Sequence, residues 1–523
     1  MIILPTQSMQ LPCTRKFIYS DPTKPELFEK VRIKFQQVDQ SSLLPRFRGM
    51  KNQSGIPKGG KKMKEGSNTH CPYQLVSPGS AGETEDLLAG KSQEEGLRRI
   101  QALLADWLRM ENLVVLTAAG ASYGAGGRLM SGRPETNLEC LVLDAVEKCA
   151  SLSDEARSVI AWKKANSFGE GNFEDWLSYL FSATGLAGSV GSPIESVLWK
   201  DGVSLPADDL ERLCVLIQRA IYAECALELD LTELSTDGGP ETSGYIPFLA
   251  KLIARDATLG RTHLFTLNYD TLNEQAMEEL GIQYFDGFTG KANSRFDPSV
   301  YGLDIYYPGD VSEGKVRRFD KFLQFYKPHG SIHWRVDGSG LYRAQHASLS
   351  MYAEYRDSDA DVKAGLLESE AYEAIPSFGI LPTSRKYSQT LEMPFAHLFR
   401  LFQARLNQPQ TFLLVLGYGF GDDHVTRIIE TALMNPSLVM LVVEPNPNSP
   451  IIERIRKYQS LGQRAFVLSE KVAEGAGCSF ARATFSDFAQ NVMPDIKWLD
   501  DYKRLRIFED QIRKTGPKTD GEG

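Results

Sequence analysis

Five short clusters in this 523-residue chain combine residue types at spacings that chemistry can use. The first is Gly120-Ala121-Ser122-Tyr123-Gly124-Ala125-Gly126-Gly127. Glycines this dense let backbone N–H groups approach a diphosphate, and the N-terminus of a following helix favours negative charge. The spacing is neither that of the standard dinucleotide fingerprint nor that of a Walker A loop, so taken alone it reads equally well as a tight turn. The second is Thr266-Leu267-Asn268-Tyr269-Asp270. Polar groups at the carboxyl end of a parallel strand stand where such sheets bind ligands, and helix capping by Asp270 is the plain alternative. The third is His329, between Pro328 and Gly330. A neutral imidazole takes a proton from a hydroxyl or a water in the useful pH range, whereas a lone histidine is more often structural. His333 invites a metal pair with His329, but no third ligand is apparent and strand spacing separates the two rings. The fourth is Gly417-Tyr418-Gly419-Phe420-Gly421-Asp422-Asp423-His424, again a turn built for close backbone approach. The fifth is Glu444-Pro445-Asn446, an acid and an amide able to hydrogen-bond the two hydroxyls of a ribose. For these last two the alternative is an ordinary turn.

Each cluster needs an element to hold it, and the sequence provides one. The apolar runs NLVVLT, THLFTL, TFLLVL and SLVMLVV end at the first, second, fourth and fifth clusters, and LQFYKPHGSIHW reads as a strand running into the turn that carries the third. Between them lie helical patterns. SQEEGLRRIQALLADWLRM places Leu97, Ile100, Leu103, Leu104, Trp107 and Leu108 on one stripe, opened by a Ser92–Glu95 capping box. Residues 137–149, NEQAMEEL, FAHLFRLFQARL, VTRIIETALM and a stretch from Ser449 follow the same period. Strand, glycine loop and helix in alternation predict an α/β fold, a doubly wound Rossmann-like parallel sheet. Residues 153–260 read as a mostly helical insertion and 286–395 as loop-rich, before a last strand, RAFVL, and a charged C-terminal helix. Together the five clusters supply a diphosphate cradle, a ribose-binding acid or amide, and a separate Asn/Asp/His set, which is what a dinucleotide requires.

In the order T-A-A-G-A-S, T-L-N-Y-D, P-H-G-S, G-Y-G-F-G-D and V-E-P-N, residues 110–470 resemble the sirtuin (Sir2-type) NAD-binding domain, and more narrowly the sirtuin-like domains of bacterial NAD-hydrolysing antiphage proteins. The resemblance implies NAD as substrate, bound across the carboxyl edge of the sheet. It makes Gly120, Ala121 and Ser122 parts of the phosphate loop. It gives Asn268 and Asp270 the nicotinamide ribose and nicotinamide side, and His329 the catalytic role. Gly417, Tyr418 and Gly419 correspond to the later phosphate and ribose loop, with Glu444 and Asn446 near the adenosine ribose. It further implies a homo-oligomer and a partner such as a HerA-type hexameric ATPase. The departures carry weight as well. Ala118 replaces a glycine, GGRLMSGRP lacks the Pro-Asp-Phe-Arg of deacylases, and Cys140, Cys149, Cys214 and Cys225 lack paired C-x-x-C spacing, so no structural zinc is expected. These departures favour a gated NAD hydrolase over a protein deacylase or ADP-ribosyltransferase. A non-catalytic NAD or ADP-ribose sensor is the third alternative.

Composition sets the outer limits. Seven cysteines without a C-x-x-C pair do not make a disulfide scaffold and fit reduced thiols in the cytoplasm. No apolar run approaches the ~20 residues of a membrane helix, and the N-terminal MIILPTQSMQLPC is poorly built for a signal peptide. The net charge of −9 is uneven: residues 1–66 hold 13 Lys/Arg against 5 Asp/Glu, or +8, which leaves −17 on the rest. Nucleic acid is therefore expected only through the basic N-terminal arm or a partner. Residues 41–90, rich in Gly, Ser, Lys and Pro, show no sustained period and read as disordered. The expected organisation is an N-terminal extension over 1–90, an NAD-binding domain over 91–495, and a C-terminal helix and tail over 496–523.

Overall fold

The computed structural model describes residues 70–495, apart from 80–82, 131, 170–172, 188–193, 200–201, 232–242, 257, 313–314, 338–339, 344–348, 350, 374–393, 457–463 and 473–476. Most of the basic extension and the expected C-terminal helix lie outside the described residues.

One nine-stranded sheet organises the chain. Its strands are β1 (Tyr73–Pro78), β2 (Thr84–Asp86), β3 (Asn112–Thr117), β4 (Thr262–Thr266), β5 (Gln283–Phe285), β6 (Phe322–Tyr326), β7 (Thr411–Leu416), β8 (Leu438–Val443) and β9 (Ala465–Glu470), in the order β2-β1-β9-β8-β7-β3-β4-β6-β5. From β9 to β5 every pairing is parallel. The central strands β4 and β7 are buried along their whole length, and β3 along all but its first residue. That is why they read as unbroken apolar runs rather than as alternation. From β3 the chain moves to β4 on one side and later returns to β7 on the other. The carboxyl ends of β3 and β7 thus form a topological switch point, with Thr117 opposite Leu416.

The folded body begins before residue 91, which corrects the expected boundary. Strand β1 runs antiparallel to β9, with Tyr73 opposite Glu470, and β2 runs antiparallel to β1. Gln74 donates to Ser469 Oγ at 2.9 Å across 395 residues, and the Tyr73 hydroxyl donates to the Asp487 carboxylate at 3.0 Å. So short an apolar pattern at residues 73–78 cannot be told from a loop until its distant partner strand is present.

Helix α1 (Gln93–Trp107) carries the expected Ser92–Glu95 box and packs on one face of the sheet. Helix α2 (Ala119–Ser122) is a single turn after β3, and α3 (Leu138–Glu147) leaves the sheet. With α4 (Asp154–Ala165), α5 (Phe173–Ala187), α6 (Ala207–Cys225), α9 (Met351–Asp357) and α10 (Ala360–Leu367), α3 builds a helical lobe with its own core. Helices α7 (Tyr245–Ile253) and α8 (Leu272–Glu279) lie with α1, while α11 (Phe395–Leu406), α12 (Asp423–Ala432) and α13 (Pro450–Arg456) cover the opposite face. The lobe therefore differs from the expected insertion at 153–260. It draws in 138–147 and 351–367, and it yields α7 to the sheet. Buried charge pairs tie it together: Lys163 Nζ lies 2.6 Å from Glu139 Oε1, and Glu224 meets Lys363 Nζ at 2.6 Å and Arg128 Nε at 2.8 Å. Because Arg128 follows the first glycine cluster, that loop is anchored to the lobe. Among the described residues, no helix is long and apolar enough to cross a membrane.

Candidate active site

The first and fourth clusters meet at the switch point. Gly120 N donates to Gly417 O at 3.0 Å. A Cβ on Gly120 would lie 2.8 Å from Gly417 Cα, and one on Gly417, whose φ is +66°, would lie 2.3 Å from Ala121 N. Each of these glycines is required by the other. Gly419 and Gly421 differ, because among the described residues a Cβ on either would meet nothing within 4 Å. No neighbour among those residues demands their small size, so bare backbone faces open space there, as a cradle for a ligand would need. Between them Phe420 takes a left-handed φ of +58°, at a cost of about 1–2 kcal/mol. Helix α12 follows directly, and the Asp422 side chain at its N-cap accepts none of its first-turn N–H groups.

Ser122 joins the first cluster to the second. Its Oγ lies 2.6 Å from Asp270 Oδ2, 2.7 Å from Asn268 Nδ2 and 2.8 Å from the Tyr245 hydroxyl. A hydroxyl has one proton and two lone pairs. With Asp270 ionised, Ser122 donates to the carboxylate and accepts from both the Asn268 amide and Tyr245. Asn268 Nδ2 also donates to Ala118 O at 3.0 Å, so its amide hydrogens are committed and its oxygen Oδ1 is the acceptor left for a ligand hydroxyl or a water. Asp270 Oδ1 accepts from Leu272 N at 3.1 Å and starts α8. Both Asp270 oxygens thus have hydrogen-bond partners within the protein. Asn268 is 7% and Asp270 6% exposed, and this burial pushes the Asp270 carboxyl up, with Lys327 and the Ser122 hydrogen bond pulling it back. Desolvation, then the nearby Asp270 charge, raises the Tyr245 hydroxyl well above its usual range. Tyr245 escaped sequence reasoning, since no spacing signal connects it to Ser122, 123 residues earlier.

The third cluster is stitched to the second. Ile332 N donates to Tyr269 O at 3.0 Å, and Lys327 donates to Asp270 O and, at 2.9 Å, to Glu274 Oε1. His329 is buried, with Nε2 3.2 Å from Asp422 Oδ2, in contact without the alignment of a full hydrogen bond. The other oxygen of Asp422 lies 2.6 Å from His424 Nδ1. The fourth cluster thus supplies neighbours of His329 that spacing along the chain does not connect to it. Among the described residues, His329, Asp422 and His424 form the group that could hold a metal ion, their donor atoms lying within 4.8 Å of one another. Two ligands on a tetrahedral zinc stand about 3.3 Å apart at zinc–nitrogen distances of ~2.0–2.1 Å. The Asp422–His424 spacing is shorter than that and has the length of a charge-assisted hydrogen bond.

Tyr418 serves its loop from below. Its buried hydroxyl donates to Asp422 O at 2.9 Å and lies 3.0 Å from Thr426 Oγ1, so only its backbone reaches the sheet edge. The fifth cluster stands at the end of β8, one strand beyond. There Asn446 N donates to Glu444 Oε1 and Asn448 N donates to Asn446 Oδ1, both at 3.0 Å, and burial pushes the Glu444 carboxyl up.

Residues 262–462 match the family model of the SIR2-like domain. The match runs from β4 past β8 and takes in Asn268, Asp270, His329, the 417–424 loop, Glu444 and Asn446. This match supports a Sir2-type domain over that part of the chain, and SIR2-like domains bind NAD. No curated protein matches the chain.

Proposed function

We propose that this protein hydrolyses NAD, turning NAD and water into ADP-ribose, nicotinamide and a proton. The observation that carries the reading is the convergence of four stitched loops at the switch point, which brings open glycine backbone, an acceptor amide oxygen and a carboxylate-paired histidine to one edge. Nicotinamide is cationic while bonded to ribose C1 and neutral once expelled, so cleavage builds oxocarbenium character as in glycoside hydrolysis. The 417–421 backbone and the α12 N-terminus suit a diphosphate. Asn268 Oδ1 would orient the attacking water or a ribose hydroxyl, with Ser122, Tyr245 and Asp270 holding that amide in place. His329 would take the proton released as water adds to C1, a role typically worth ~10²–10⁴-fold.

Unrestrained NAD cleavage is toxic, so activity is gated. The buried Arg128–Glu224–Lys363 link between the glycine loop and the helical lobe supports the lobe as the gate. In this reading the protein is a homo-oligomer that acts in antiphage defence by depleting NAD, with a HerA-type ATPase as partner. Mass photometry with and without that partner tests the assembly. Chromatography of NAD incubated with the purified full-length chain tests the chemistry. Nicotinamide and ADP-ribose in equal amounts are expected, whereas conversion of an acyl-lysine peptide alone would point to a deacylase.

A further inference from the structure

Asp422 is an N-cap that does not cap. Aspartate is favoured at the residue before a helix because its carboxylate accepts a first-turn N–H, yet at the start of α12 it makes no such bond. Its backbone is nevertheless held firmly. Thr426 N donates to Asp422 O at 2.9 Å, the Tyr418 hydroxyl donates to the same oxygen at 2.9 Å, and Thr426 Oγ1 donates to Phe420 O at 3.4 Å. Left-handed φ angles at Gly417 and at Phe420 turn the chain into this arrangement. A loop that accepts an unfavourable backbone and gives up a cap, with its peptide clamped, presents the carboxylate elsewhere. That carboxylate faces two imidazoles, one on each oxygen, at 3.2 Å (His329 Nε2) and 2.6 Å (His424 Nδ1).

We propose that Asp422 is the positioning residue for His329 and that His424 in turn orients Asp422; this rests on the NAD-cleaving reading of the site. The short His424 bond fixes the plane of the carboxylate, so its second oxygen is directed at His329 Nε2. His329 then carries its proton on Nε2, and Nδ1 is the nitrogen that accepts one. When water adds to C1, the bond to nicotinamide breaks and its electron pair leaves with the ring. The water proton passes to His329 Nδ1, and the imidazolium so formed is stabilised by an Asp422 that stays ionised, before the proton returns to solvent. Catalytic hydrogen bonds of this kind commonly tighten in the complex with substrate.

The test uses the full-length chain labelled with 15N-histidine, wild type beside Asp422→Asn and Asp422→Glu. Long-range 1H–15N spectra show which ring nitrogen of His329 holds the proton, and steady-state cleavage of NAD is followed in parallel. The expected result is an Nε2–H tautomer in the wild type, lost in Asp422→Asn and partly restored in Asp422→Glu. Turnover in Asp422→Asn should drop by ~10²-fold or more with KM changed by less than about threefold. Its thermal midpoint should be held or raised, since asparagine caps a helix well. An unchanged tautomer in Asp422→Asn, or unchanged turnover beside an active wild type, overturns the proposal and leaves NAD hydrolysis standing. Loss of cleavage on chelation with recovery on added zinc also overturns it, in favour of a metal at the three side chains. A tautomer that responds as expected in a protein that cleaves no NAD supports the positioning and removes the hydrolase reading instead.

Discussion

The two ends of the site treat their polar groups in opposite ways. Around Ser122 the bonds close on one another: its hydroxyl, the Asn268 amide hydrogens, both Asp270 oxygens and the Tyr245 hydroxyl each have a near neighbour at 2.6–3.1 Å. Around His329 one carboxylate faces two imidazoles instead: Asp422 Oδ2 lies 3.2 Å from His329 Nε2, and Asp422 Oδ1 lies 2.6 Å from His424 Nδ1. A closed hydrogen-bond network holds shape, whereas a carboxylate beside an imidazole can stabilise the charge that a proton transfer creates. In the proposed reaction the Ser122 end therefore positions the Asn268 oxygen, and the His329 end takes the proton.

That division can be broken from either side. The largest effect belongs to the His329 end: His329→Ala should cut NAD cleavage by ~10²–10⁴-fold, about 3–5 kcal/mol, while leaving the urea midpoint nearly unchanged. Product chromatography beside a denaturation curve reads both quantities. The glycines extend the comparison. Gly417→Ala forces a Cβ to 2.3 Å from Ala121 N at a positive φ and should cost ~2–5 kcal/mol of stability, read as a lowered urea midpoint. Gly419→Ala meets no atom of the described residues, so it should fold normally and raise KM for NAD severalfold; an unchanged KM would show that this backbone touches no ligand. Ser122→Ala should behave as a scaffold lesion. It removes the shared hydroxyl from three buried partners and should lose ~1–3 kcal/mol of stability, with turnover falling as Asn268 loosens.

The smallest effect concerns pH. Burial raises the Asp270 carboxyl above its ordinary value, so folding favours its protonated form. This contribution is present below the ordinary aspartate range and is lost as pH rises through the raised value. Asp270→Asn should therefore flatten the rise in stability seen on moving from neutrality down through that window, while keeping an acceptor for the Ser122 hydroxyl. Denaturation midpoints measured across the carboxylate range check this; a slope identical to wild type would mean that Asp270 titrates normally.

Much of the architecture was legible because its signals are local. The buried parallel strands at 112–117, 262–266, 411–416 and 438–443 are apolar runs that end in glycine or polar turns, and the Ser92–Glu95 box announced α1 within four residues. The strand at 73–78 was not legible, because what makes it a strand is the register with β9 at the far end of the chain. The limits of the helical lobe were hidden for the same reason. Helix α3 and residues 351–367 join it through packing between segments that carry no sequence mark of belonging together.

By itself, the sequence determined which residue types stand at the ends of which strands. Strand period, glycine density and helix spacing act over a few residues, and they fixed the α/β class and placed Asn268, Asp270, His329 and the 417–424 loop at candidate positions. Only the tertiary structure decided what each of these residues meets. It shows that Gly120 and Gly417 pack on each other while a Cβ on Gly419 would meet none of the described residues, that Asp270 pairs with Ser122, and that the Asp422 carboxylate faces His329 rather than capping its helix. The physical reason is range. A hydrogen bond or a Cβ clash is settled within 4 Å, and which groups come that close depends on strand order across the switch point rather than on neighbours along the chain.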